Sequence, residues 1–136
     1  MVVAAYFDEF LLSLLPNPNP KESFYSRIER AFKAGYVSAI EQHDLHVIRE
    51  LRNSFAHNMR VSRFDADRAK QVESLTIWQK VSKRPYYRKK MRSPRQRLLY
   101  VAAAISARFI NRKGKTVLPG DDPALWTAAY PPLTSF

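Results

Sequence analysis

A chain of 136 residues that is 46% hydrophobic can bury one modest core and is too short for two, so a single domain is expected. It contains no cysteine, which excludes disulfides, thiolate catalysis and cysteine-ligated zinc and fits a reducing, cytoplasmic setting. The net charge of +11 is segmental: Met1 to Ser74 holds ten Lys/Arg against ten Asp/Glu, Leu75 to Gly120 holds thirteen Lys/Arg and no acid, and Asp121 and Asp122 supply the remaining −2.

Val3 to Leu15 reads as a helix ended by Pro16 and apolar around most of its circumference, as a segment buried against several neighbours would be. No apolar run approaches the ~20 residues that span a bilayer. The opening MVVAAYFDEFLLSLLP has no basic leader and carries Asp8 and Glu9, so it is read as structure and not as an address. Pro16-Asn17-Pro18-Asn19-Pro20 cannot continue a helix, because each proline lacks an amide and pushes its predecessor toward extended geometry. Phe24, Ile28, Ala31 and Phe32 make a second stripe, closed by Gly35, which can take the left-handed C-cap conformation. A tight turn through Tyr36 and Val37 then implies antiparallel packing on the next helix.

That helix starts at Ser38, which forms a capping box with Glu41, and should run to His57. Ile40, Leu45, Ile48, Leu51 and Phe55 recur at helical spacing while His43, Arg49 and Glu50 stay near water. Phe24, Ile28, Phe32, Leu45, Ile48, Leu51 and Phe55 are expected to form one core. Asn58 to Phe64 has no clear period; Asp65 then suits the N-cap of one helix from Ala66 to about Val81, with Ala66, Ala69, Val72, Leu75 and Trp78 inward. Arg84 to Arg92 reads as a basic linker without a fixed conformation. Ser93 with Gln96 is another capping box and Pro94 suits the first helical position, so a last helix should run to about Ile110, burying Leu98, Ala102, Ile105 and Phe109. Gly114 lies just beyond it. Residues 115–136 form a proline-rich tail that either wraps the domain of residues 1–114 or frays, with Leu118, Leu125, Trp126, Tyr130 and Phe136 as anchors. Nothing alternates with period two, so the expected fold is all-α, a bundle of four to five helices.

The pattern Phe24-x-x-Arg27-Ile28, Ala31, Gly35, Asp44-Leu45, Ile48-Arg49 and Arg52-Asn53-x-Phe55-Ala56-His57, followed by Phe64-Asp65, resembles the mannitol-operon-repressor (MltR-like) family within the HEPN superfamily. The resemblance covers about Phe24 to Ala66, with weaker support from Phe7 to Leu15; the basic segment after Leu75 and the tail have no counterpart in it. It implies an up-and-down helical bundle, a homodimer, and a metal-independent ribonuclease site in which Arg52, Asn53 and His57 match the superfamily's Arg-polar-x-x-x-His hallmark. The residue types suit that chemistry. A histidine with an ordinary pKa near ~6.5 can shuttle protons to and from the ribose 2′-hydroxyl and the leaving oxygen. A permanently charged arginine holds the phosphate. Residues five apart on a helix diverge by about 140°, so either the helix loosens before His57 or a second copy completes the site. The plainer alternative makes His57 a C-terminal cap beside Asn53, with Arg52 paired to Asp44 or a neighbouring helix.

Thirteen uncompensated cations attract phosphates and release counterions on binding. The expected RNA-binding residues are Lys80, Lys83, Arg84, Tyr86, Tyr87, Arg88, Lys89, Lys90, Arg92, Arg95 and Arg97, with Trp78 adding a third aromatic face for unpaired bases. A solvated basic surface, an anionic-membrane contact or aromatic packing at the bundle edge is the plainer alternative. His43, His46 and Glu50 lack a further ligand at helical spacing, so no metal site is expected. Three glycines and no glycine-rich phosphate loop leave no cofactor motif. Two functions compete: an RNA-binding endoribonuclease of toxin or defence type, with a protein inhibitor or regulatory partner, and a non-catalytic transcriptional regulator. No helix-turn-helix signature supports direct base reading by the second.

Overall fold

The computed structural model describes residues 2–17, 19–57 and 65–112, apart from the side chains of residues 2, 55–57 and 110–112. The described residues contain α-helices and no strand. Among the described residues there are seven helical segments against the expected four to five: α1 (Val2–Leu14), α2 (Phe24–Lys33), α3 (Ala39–His57), α4 (Ala66–Glu73), α5 (Thr76–Val81), α6 (Pro85–Lys90) and α7 (Pro94–Arg112). None is long and apolar enough to cross a membrane. Phe55, Asn58 to Phe64, Gly114 and the tail of residues 115–136, all of which carried expectations, lie outside the description.

Local hydrogen bonds account for most helix ends. Ser23 caps α2 by accepting from the Ser26 amide at 3.1 Å. At the other end the Gly35 amide donates to Phe32 O at 3.1 Å and the Tyr36 amide to Ala31 O at 2.9 Å. This paired closure needs a left-handed residue, and Gly35 takes φ 82°. The two capping boxes form as expected: Ser38 with Glu41 at 2.8 and 3.2 Å, and Ser93 with Gln96 at 3.1 Å in both directions.

Helix α3 is central and touches α1, α2, α4 and α5. Leu45, Ile48 and Leu51 are fully buried and meet Phe24 and Ile28 of α2, as expected; Phe32 is only half-buried at the margin. Arg27 of α2 is buried, pairs with Asp8 of α1 at 2.6 Å and donates to Asn19 O and Pro20 O, so one guanidinium fastens the proline linker and the first helix. At the other end of the chain Arg108 of α7 meets Glu41 at 2.7 Å with both side chains out of water.

The single helix expected from Ala66 to Val81 is broken at Ser74 and Leu75. Leu75 is extended, with ψ 122°. The Asp44 carboxylate of α3 accepts from the amides of Thr76 at 2.7 Å and Ile77 at 3.0 Å, so it caps a new helix from a distant part of the chain. The break lets Val72, Leu75, Ile77, Trp78 and Val81 all be buried, while Ala66 is exposed and Ala69 half-buried; Arg68 is buried in their place. The basic linker likewise folds as α6, with Pro85 at its first turn and Tyr87 packed edge-on against Tyr100 of α7.

Burial, the largest influence, pushes the Asp44 carboxyl above the ordinary carboxylate range, against the hydrogen bonds from Ile77, His43 and Thr76 that draw it down. The folded chain then keeps this proton to higher pH than the unfolded chain. The stability linked to Asp44 is therefore full below its ordinary pKa and falls as pH rises through the raised value. Denaturant titrations from about pH 4 to neutral should show wild type losing stability relative to Asp44→Asn. Asp44→Ala, which strips both α5 amides of their acceptor, should cost about 1–3 kcal/mol at neutral pH.

Candidate functional site

The Arg52-Asn53-x-x-x-His57 motif lies on the last turns of α3, which stays helical through His57. At ~100° per residue, Asn53 and His57 occupy one side of the helix and Arg52 another. The Arg52 side chain is half-buried, with its guanidinium carbon 5.4 Å from the centroid of the Phe24 ring on α2. It does not pair with Asp44, which is committed to α5, nor with Glu50, whose nearest cation is Arg49 at 3.6 Å. Asn53 is half-buried, and the His57 side chain lies outside the description. The motif turn is held from below: Arg68 of α4 donates to Ser54 O at 3.2 Å while pairing with the α4 cap Asp65. That contact stops an open carbonyl near the C-terminus of α3 and fixes where the chain re-enters after residue 64.

Sequence reasoning passed over the side of α3 that carries Asn53. Gln42, His46, Arg49 and Asn53 follow helical spacing along it, and α2 supplies partners from across the seam. His46 Nε2 is 2.8 Å from Glu29 Oε1, and Gln42 Nε2 donates to Glu29 Oε2 at 3.0 Å. Arg49 Nε donates to His46 Nδ1 at 3.4 Å and stands over the Tyr25 ring, 5.1 Å from its centroid. The His46–Arg49–Asn53 spacing was a signal in the sequence; Tyr25 and Glu29 carried none, because they arrive from another helix.

The expected basic surface is divided. Lys80, Lys83, Arg84, Tyr86, Arg88, Lys89, Lys90, Arg92 and Arg95 are exposed on α5, α6, the start of α7 and the links between them. Arg97 belongs to the packing: it pairs with Glu73, donates to Met91 O at 3.0 Å, and covers the Trp78 ring at 4.9 Å from the centroid. Trp78 is buried, with its indole nitrogen donating to Glu73, so it offers no face to a base. Tyr87 is half-buried against Tyr100, which leaves Tyr86, 53% exposed, as the available aromatic of the segment. The two histidines set aside as ligands turn to different partners. His43 lies 3.0 Å from Asp44 and 3.1 Å from Thr76, and His46 faces Glu29. Among the described residues no group of three or more His, Asp or Glu could hold a metal ion.

Comparison of the chain with models of known protein families, with curated proteins and with solved structures finds no match. The division of the basic segment is directly testable. Arg97→Ala should lower stability by about 1–2 kcal/mol through poorer packing on Trp78 and Glu73, whereas Lys89→Ala should leave the denaturation midpoint unchanged.

Proposed function

We propose that this chain is an RNA-binding helical protein of HEPN-like type, working as a homodimer, with metal-independent endoribonuclease chemistry at Arg52, Asn53 and His57. The observation that carries the reading is the surface of exposed cations from Lys80 to Arg95, a stretch with no acidic residue. Such a surface binds phosphates without reading bases, through counterion release.

The catalytic part draws support from the continuity of α3. Because α3 stays helical through His57, Arg52 and His57 stand about 140° apart around its axis, which favours completion of the site by a second copy. A two-fold axis near the end of α3 would supply the second His57 and bring two Arg52 guanidinium groups to the same phosphate, giving the two proton-handling groups that 2′-hydroxyl attack and leaving-group protonation require. Helix α1 suits the interface. It buries Ala4, Phe7 and Leu11 in its own core and leaves Tyr6 47% exposed, with Val3, Phe10 and Leu14 only partly covered.

One observation favours the second reading, a non-catalytic nucleic-acid-binding regulator: Arg52 rests on Phe24 as a packed cation–π pair. Incubating pure protein with structured and single-stranded RNA in EDTA separates the two. Wild type should cleave and His57→Ala should not; binding without cleavage selects the regulator, and cleavage that survives the substitution or needs added metal removes the proposed site. Light scattering at micromolar concentration should report a dimer, and a monomer that still cleaves RNA would rule out the paired site. Neutralising Lys89, Lys90 and Arg92 together should weaken binding and flatten its salt dependence by about 0.7–0.9 in log–log slope for each phosphate no longer neutralised.

A further inference from the structure

Tyr25 stands on the first turn of α2 and is 52% exposed, yet its ring is held in place. The Arg49 guanidinium lies over it, and the His46 ring is 4.9 Å away at a tilt of 38°. His46 is in turn bonded to Glu29, which also accepts from Gln42. Tyr25 is thus held by Arg49 and His46, with Glu29 and Gln42 bonded behind them, and still presents half its surface to water. Core packing has no need of this, because Tyr25 is absent from the buried core that Phe24 and Ile28 enter beside it.

The position matters as much as the rigidity. Asp44 seats the start of α5, and with it the start of the basic segment, near the N-terminal half of α3. His57 is thirteen residues further on, about 20 Å at 1.5 Å per residue. His46, Arg49 and Asn53 share one side of α3 with His57, roughly opposite Asp44 at ~100° per residue. A strand that approaches the motif along that side passes Tyr25.

We propose that the Tyr25 ring, backed by Arg49 and edged by His46, is a stacking platform for one unpaired base of an RNA strand lying along α3. The inference rests on the RNA-binding reading and narrows its substrate to single strands, loops and bulges, since a base inside a duplex has no free face to offer. Stacking uses the flat surface that all four bases share, so the platform selects strandedness more than sequence. Arg49 adds a cation beside the stacked base, in partial competition with Glu50, whose carboxylate is 3.6 Å away.

Titration of a single-stranded oligoribonucleotide carrying 2-aminopurine, with a duplex of the same sequence as control, tests the proposal. Wild type should quench the probe in the single strand. Tyr25→Ala should weaken single-strand binding roughly tenfold and abolish the quenching, leaving duplex affinity and the salt slope unchanged, because every cation that meets a phosphate is still in place. Tyr25→Phe and Tyr25→Trp should restore both signals, and Glu50→Gln should tighten single-strand binding by releasing Arg49. If Tyr25→Ala binds and quenches like wild type while Lys89, Lys90 and Arg92 still set the salt dependence, the platform is wrong and RNA binding stands. Equal losses on single strand and duplex would make Tyr25 a packing residue and overturn the platform too. Wild type that binds neither RNA would overturn the platform and the RNA-binding reading together.

Discussion

The Glu41 carboxylate has no access to water and performs two tasks that tie the start of α3 to α7. One oxygen closes the capping box at the start of α3, and the other meets Arg108 sixty-seven residues later on α7. The capping box holds the side chain within its own helix and so orients the acceptor that receives α7. A buried ion pair of this kind is weak evidence for net stability but strong evidence for register, since losing either partner leaves an uncompensated charge in the core. The stacked Phe10 and Phe109 rings, 5.1 Å apart, sit one residue beyond Arg108 and continue the same seam onto α1. That contact adds to the hold that α2, through Arg27 and Asp8, and α3 have on α1.

Asp44, one turn after Glu41, repeats the device with a different object. Its carboxylate gives the amides of α5 the acceptors that Leu75, the N-cap residue, cannot supply with an apolar side chain. The cost of burying the charge appears as the raised carboxyl; the return is a chain that can turn between α4 and α5 and place Leu75, Ile77 and Trp78 in the core. Helix α3 therefore acts as a frame with two anchoring acids near its start, while its end carries the RNSFAH motif.

This division shapes the functional surface. Cations that the sequence offers as one run are sorted by geometry into a packed Arg97 and an exposed set from Lys80 to Arg95. Aromatic residues are sorted the same way: Trp78 and Tyr87 support the bundle, Tyr86 faces water among the cations, and Tyr25 faces water beside Arg49. Charge without bulk apolar contact favours phosphate binding over a base-reading mode, and the exposed Tyr25 and Tyr86 are where base contact could enter.

By itself the sequence determined the starts of α3, α4 and α7 and the end of α2, because these rest on hydrogen bonds that reach three to five residues: Ser38 with Glu41, the Asp65 cap, Ser93 with Gln96, and the closure at Gly35. It also determined the inward stripe of Leu45, Ile48 and Leu51 and the location of the uncompensated charge, since periodicity and counting are properties of the chain. The tertiary structure alone decided the break at Leu75, the folding of α6, the packing of Arg97 on Trp78, the seat of Arg52 on Phe24 and the Tyr25–His46–Arg49 cluster. Each depends on a partner from another segment, such as Asp44 thirty-two residues before Thr76 or Glu29 seventeen before His46. Local propensity cannot express a hydrogen bond whose acceptor arrives only when two helices pack.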